Sequence, residues 1–192
     1  MDSPPVLVVA AVREELNSFT SPLGGGVHTL VTGMGAGRAH ERVSRWLSQH
    51  PCRCVVSVGF AGGTQAGLRT GDLIVPDEVF DASSGDKQRP SRFSIGNGAC
   101  VRVGPLVTNR RVLLTPRAKG TLGRRFQALA VDMETWAVAK AAMEADLPWI
   151  SVRAILDPME EFLFSPWILM NGMRKASREL GMYLNQWVEQ IP

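Results

Sequence analysis

Residues 54–63 read CVVSVGFAGG, a short β-branched run that stops in a cluster of glycines. A segment that is apolar at nearly every position, not at alternate ones, suits a strand covered on both faces of a sheet. Glycines at its carboxyl end put flexible backbone where open α/β sheets bind ligands. Runs of the same kind recur on either side: Pro5 to Ala11, His28 to Thr32, Leu73 to Val79, Arg111 to Leu114, Ala128 to Val131 and Trp149 to Ile155. Helix-like stretches lie between several of them, at Gly37 to Gln49, Ala118 to Phe126 and Met133 to Ala145. Alternation of this kind predicts an α/β fold, a mainly parallel sheet with helices on both sides.

The last element is predicted over Pro166 to Gln190. There Leu169, Met173, Ala176, Leu180, Leu184, Trp187 and Ile191 recur at three- and four-residue steps, the pattern of an amphipathic helix closing over the sheet. Asp81 to Asn97 (DASSGDKQRPSRFSIGN) is the least regular stretch, and reads either as a mobile loop near an active-site mouth or as a surface excursion. No internal repeat and no linker-like shift in composition divides the chain, so residues 1–192 are expected to form a single domain.

Composition narrows the function classes. The net charge of +3 comes from 21 basic and 18 acidic residues spread without a run of one sign, which is no footprint for nucleic-acid binding. No apolar stretch approaches the roughly 20 residues that span a bilayer. Cys52, Cys54 and Cys100 are an odd number, and the chain opens on MDSPPVLVV and not on a signal-like n-region, so a cytoplasmic location is expected. Cys52 and Cys54 lack the C-x-x-C spacing of zinc or redox sites and read as small hydrophobes; no metal or cofactor is expected.

Thr32-Gly33-Met34-Gly35-Ala36-Gly37 follows an apolar run and opens a helix, so its amides could face an anion or a sugar hydroxyl. It is half of a dinucleotide fingerprint. The glycine spacing does not repeat G-x-G-x-x-G, and the same three glycines would serve a tight turn, so an oxidoreductase reading stays a minor rival.

Read together, GMGAGRAH, SVGFAGGTQAGLRTGDLIVPDEV, LAVDMETWAVAKAA and PWISVRAILD resemble the successive signature blocks of the nucleoside phosphorylase superfamily, over roughly residues 5 to 157. The members most similar by motif are the methylthioadenosine/S-adenosylhomocysteine nucleosidases, futalosine hydrolases and phosphorylase-like proteins of hopanoid biosynthesis. The resemblance implies a three-layer α/β/α sandwich around a twisted mixed sheet, a purine nucleoside as substrate, and a homodimer or larger homo-oligomer.

It also implies roles. Glu134 of Asp132-Met133-Glu134 stands where the family grips the ribose hydroxyls, and a carboxylate can accept from both while Met133 packs on the apolar sugar face. Phe60, Ala61 and Gly62 belong to the central glycine block of the substrate site. Asp157 matches the aspartate that protonates or hydrogen-bonds purine N7, which stabilises a leaving group gaining negative charge. Glu15 matches the glutamate that positions the attacking water, and Arg153 an arginine near that water. Each has a plainer alternative: Glu134 and Glu15 as first-turn helix charges, Asp157 as a turn aspartate before Pro158.

Phosphorylases of the superfamily carry a Gly-Asp-Pro turn after the first strand and an arginine ahead of the central glycines. Here those positions read Ala10-Ala11-Val12-Arg13-Glu14-Glu15 and Val55-Val56-Ser57-Val58. Two carboxylates disfavour a phosphate dianion, so hydrolysis is expected over phosphorolysis. A non-catalytic purine-binding relative is the other alternative, because Phe60 and Leu156 replace serines usual in nucleosidases. Asn109 to Lys119 lacks an aromatic to stack on adenine, and a larger apolar 5′ substituent, as in adenosylhopane, fits such a pocket.

Overall fold

The computed structural model describes residues 3–20, 26–92, 101–160 and 166–191, with the side chains of 166–168 and 189 outside the description. Cys100 and the 93–97 end of the irregular stretch lie outside the described residues.

The elements run β1 (Val6–Ala10), a 3-10 turn (Arg13–Leu16), β2 (Val27–Val31), α1 (Ala36–Leu47), β3 (Cys54–Gly63), β4 (Leu73–Val75), β5 (Val79–Asp81), β6 (Lys87–Gln88), β7 (Val101–Val103), β8 (Leu106–Thr108), α2 (Pro116–Phe126), β9 (Ala130–Asp132), α3 (Thr135–Glu144), β10 (Trp149–Asp157) and α4 (Pro166–Trp187), which ends in a 3-10 turn at Val188–Gln190. All the strands join one mixed sheet. β1, β2, β3 and β10 are parallel, while β4 pairs antiparallel with β10 and β9 antiparallel with β3.

Alternation along β1 decides which layer covers which face. Val6, Val8 and Ala10 point into one core with Ala176, Leu180, Leu184 and Trp187 of α4. Leu7 and Val9 point into the other, with Ala39 and Val43 of α1 and Ala137, Val138 and Ala141 of α3. Both faces of β1 are thus buried, which is why it is apolar at every position, and the three-layer arrangement follows.

Two strand expectations are corrected. The run from Leu73 to Val79 is two strands, because Pro76 has no N–H for a ladder and ends β4 at Val75. Arg111 to Leu114 forms no strand; the β-structure lies upstream at Leu106–Thr108, where all three residues are buried, whereas Arg111, Val112 and Leu114 are exposed. The irregular stretch is also relocated in part. Ser91 donates its amide to the carbonyl of Trp149, at the amino end of β10, so residues near it sit at the opposite end of that strand from Asp157.

The site depends on how β3 is shared. Its first half pairs with β1 on one edge, at Cys54 to Ser57, and its last residues pair on that edge with β9, at Gly62 and Gly63. β1 and β9 therefore leave β3 at different heights. The crevice between them lies at the carboxyl ends of β1, β3, β9 and β10, where ligands bind in open α/β sheets.

Candidate active site

A cavity of about 420 Å³ fills this crevice, and Glu15, Phe60, Ala61, Gly62, Asp132, Met133, Glu134 and Asp157 all line it. These eight residues come from four segments up to 142 positions apart. The rest of the wall is largely apolar: Val12, Met34, Leu113, Leu156, Leu169 and Met173, with Glu14 and Arg111 as further charged groups. A second depression of about 520 Å³ lies at the other end of the sheet, beside Glu78 and Trp187. Of its two acids, Asp77 and Glu78, the second is paired with Lys87 and Arg89, at 2.9 and 2.7 Å.

Glu15 is held by backbone. Its Oε2 accepts from the amides of Ala11 (2.7 Å) and Val12 (3.1 Å), and its Oε1 from the amide of Phe60 (2.9 Å). The 3-10 turn after β1 swings Glu15 inward, 5% exposed, and leaves Glu14 exposed beside the same cavity. Burial pushes the Glu15 carboxyl above its ordinary range, against the opposing pull of Arg153 and the three amides. A carboxyl so placed can hold a water and take its proton.

Glu134 precedes α3 as its N-cap residue, and its Oε1 accepts from the amide of Gly35 at 2.8 Å. Gly35 caps α1 with φ 101°, a conformation suited to glycine. The glycine-rich turn therefore ties the starts of two helices together through Glu134. Burial, and then the negative charge of Asp132, push Glu134 up to about 7.

Asp132, beside Glu134 at the cavity, is bonded on both carboxylate oxygens. One oxygen accepts from the hydroxyl of Thr108 at 2.7 Å, and the other from the amide and hydroxyl of Thr135 and from Nε of Arg153. Four donors meet its carboxylate, so Asp132 orients the α3 start and Arg153. Arg153 does not line the cavity. It is 2% exposed, bonds Asp132 at 2.9 Å and the Ser57 hydroxyl at 2.7 Å, and lies behind Glu15.

Asp157 ends β10 beside Gly62, and its Oδ2 accepts from Nζ of Lys119 at 2.8 Å. Lys119 was missed by motif reasoning. A lone lysine on a predicted helix reads as a solvated charge, and its only signal is a position on the same face as Gly120 and Gly123, all three buried. Those glycines let α2 approach closely: a β carbon at Gly123 would lie 2.6 Å from that of Thr64. Arg111, Val112 and Leu113, placed in a strand by pattern, instead line the cavity as a loop, where the aromatic expected to stack on the base is absent. Among the described residues no cluster of His, Cys, Asp or Glu could hold a metal ion, and no helix is long and apolar enough to cross a membrane.

The chain matches the family model described as the phosphorylase superfamily over residues 9–96 and 92–177. It is 25% identical over 156 residues to the 5′-methylthioadenosine/S-adenosylhomocysteine nucleosidase of Listeria monocytogenes serotype 4a (strain HCC23), covering 67% of each chain. It is 27% identical over 186 residues to the enzyme of that name from Aeromonas salmonicida, covering 78% of this chain and 81% of that one. In fold it is similar to the Neisseria meningitidis nucleosidase solved with methylthio-immucillin-A, with TM-score 0.82, 19% identity, and 98% and 100% of the two chains covered. The Helicobacter pylori futalosine hydrolase gives TM-score 0.81 at 16% identity, with 98% of each chain covered.

Proposed function

The chain belongs to the phosphorylase superfamily, and from that premise we propose that it hydrolyses the N-glycosidic bond of a 5′-substituted adenosine-type nucleoside, releasing the free base. One observation carries the reading: Glu15, Glu134 and Asp157 converge on one apolar cavity that offers no cationic cradle among the described residues. Arg111 stands in its wall, while Arg153 and Lys119 are committed to Asp132 and Asp157. A phosphate dianion meeting these carboxylates is disfavoured, whereas water and a developing cationic sugar are not.

Each carboxylate has a task along one reaction coordinate. As C1′–N9 breaks, its electron pair moves onto the purine, and Asp157 serves the base at N7. Glu134 accepts from the ribose hydroxyls, with Met133 against the sugar, and those bonds tighten as positive charge grows on the ring. Glu15 orients the water that adds to C1′ and takes its proton, while Arg153 fixes the charge behind it. Phe60, Ala61 and Gly62 form the floor. The apolar wall of Val12, Met34, Leu156, Leu169 and Met173 supports a large hydrophobic 5′ substituent, of the kind carried by adenosylhopane. A homo-oligomer and a cytoplasmic site of action complete the proposal, the former supported by the exposed apolar side chains of Leu114 and Met170 outside the cavity wall.

A panel of nucleosides incubated with and without inorganic phosphate, and analysed for free base and for ribose against ribose 1-phosphate, tests the reading. Free base and ribose at a rate indifferent to phosphate are expected. Phosphate-dependent formation of ribose 1-phosphate makes the enzyme a phosphorylase, and base binding without turnover makes it a binding protein.

A further inference from the structure

Behind Asp157 lies a second charge that the reaction just described does not use. Nζ of Lys119 is 2.8 Å from Oδ2 of Asp157 and 2.6 Å from the carbonyl of Pro158. The lysine side chain is 1% exposed and that of Asp157 8%, so the pair is nearly dry, with the carboxylate on the cavity side and the ammonium away from it. Removing two charges from water is costly, and a buried ion pair is a weak device for stability alone. An opposite charge this close also favours the ionised carboxylate, which conflicts with Asp157 carrying its own proton to the base at rest.

We infer that Lys119 holds Asp157 as a carboxylate in the resting enzyme and supplies, through it, the proton taken by the departing purine. The inference rests on the assignment of Asp157 to the leaving base. As the C1′–N9 bond breaks and its electron pair moves to the purine, Asp157 receives a proton from the Lys119 ammonium and passes it to N7. Asp157 ends as a carboxylate and Lys119 as an amine. Water adds to C1′ and loses a proton to Glu15; after product release Glu15 gives that proton to solvent and Lys119 takes one back from it. Lys119 acts through Asp157 and is a positioning residue.

Other charges face the pair. Glu14, Glu15, Asp132, Glu134 and Arg111 share the cavity with Asp157. Arg124 follows Lys119 along α2, hydrogen-bonded to Thr121, and Glu160 is exposed two residues after Pro158. Of these basic groups, Lys119 is the one bonded to the Asp157 carboxylate.

The test compares the wild type with Lys119→Met, Lys119→Arg and Asp157→Asn. Without the ammonium Asp157 must carry the proton itself, so Lys119→Met should lose about a hundredfold or more in kcat near pH 8, with KM little changed, and recover much of it as pH falls. A structural role would give a loss with the wild-type pH profile, and that result overturns the inference, as does an unchanged rate. Lys119→Arg, which keeps the charge but cannot give up its proton, should hold Asp157 ionised and lose kcat as Lys119→Met does, without the recovery as pH falls; a wild-type rate in it overturns the proton transfer. A readout that needs neither turnover nor a lysine variant is the infrared difference between wild type and Asp157→Asn at neutral pH. A carboxylate band assigned to Asp157 supports the inference; a protonated carboxyl band overturns it. An Asp157→Asn enzyme at full rate removes Asp157 from the chemistry and the inference with it. An inactive Asp157→Asn beside an unaffected Lys119→Met overturns Lys119 alone.

Discussion

The carboxylate of Glu15 fills the space that a side chain at Gly59 would need: a β carbon there would lie 2.5 Å from Oε1 of Glu15 and 3.0 Å from Nη1 of Arg153. Gly59 adopts φ 156° where β3 passes the 3-10 turn, and its register partner on β10 is Arg153. The glycine at the start of the central cluster thus makes room for an acid from the first strand's turn. Gly59→Ala should push Glu15 out of its three amide bonds and cost about a hundredfold or more in kcat, the scale of a lost general base. Overpacking should also lower stability by about 1–3 kcal/mol. Rate assays and thermal melts check both, and a Gly59→Ala enzyme near wild-type kcat would place the water elsewhere.

Glu15 and Glu14 are adjacent yet differently placed, one buried on backbone amides and one exposed at the cavity. Glu15→Gln should abolish turnover while leaving nucleoside binding tight, since the amide keeps the shape but cannot take a proton. Glu14→Gln should change little. Calorimetric titration with substrate on the two variants, alongside rate assays, separates them; equal losses in both would end the assignment to Glu15.

The Glu134 carboxyl, pushed up to about 7, sets an expected pH dependence. Its charged form is the better acceptor for ribose hydroxyls, so kcat/KM should rise with pH through about 7, and Glu134→Gln should remove that inflection. A 2′-deoxynucleoside cleaved as well as its ribo counterpart would argue against the contact. Stability carries the opposite sign. Because folding raises this group above the ordinary 4.5, its ionisation costs nothing below that pH and the full amount above about 7. The melting temperature of Glu134→Gln relative to wild type should therefore climb across that interval.

Asp132 accepts from Thr108, Thr135 and Arg153 and is buried with all of them. Asp132→Asn leaves the Arg153 guanidinium without its carboxylate and turns an amide group toward other donors. A loss of about 3–5 kcal/mol is expected, as for one half of a buried ion pair. Urea unfolding measures it. A variant as stable as wild type, with only KM raised, would return Asp132 to direct substrate contact.

Hydrophobic pattern along the chain is enough for the layers of this protein, and motif resemblance proposes the acids at its sheet ends. Near-continuous runs such as Val6 to Ala10 and Cys54 to Val58 read as strands because burial on both faces leaves few polar positions, Ser57 being one, a local consequence of composition. Glu15, Glu134 and Asp157 are singled out by the resemblance of their blocks to the superfamily, and each also follows the end of a β-branched run, where an open sheet forms its crevice. What those acids touch was decided only in three dimensions. Lys119 meets Asp157 across 38 positions and Glu134 meets Gly35 across 99, and no periodicity records which helix start or helix face arrives beside which strand end. Likewise Asp132 stands beside Glu134 in sequence, and only folding brings Thr108 and Arg153 from other strands to its carboxylate. Local spacing fixes the direction in which a side chain leaves the backbone; its hydrogen-bond partners, and with them its charge state and its use, come from whichever distant groups the packed layers bring within about 3 Å.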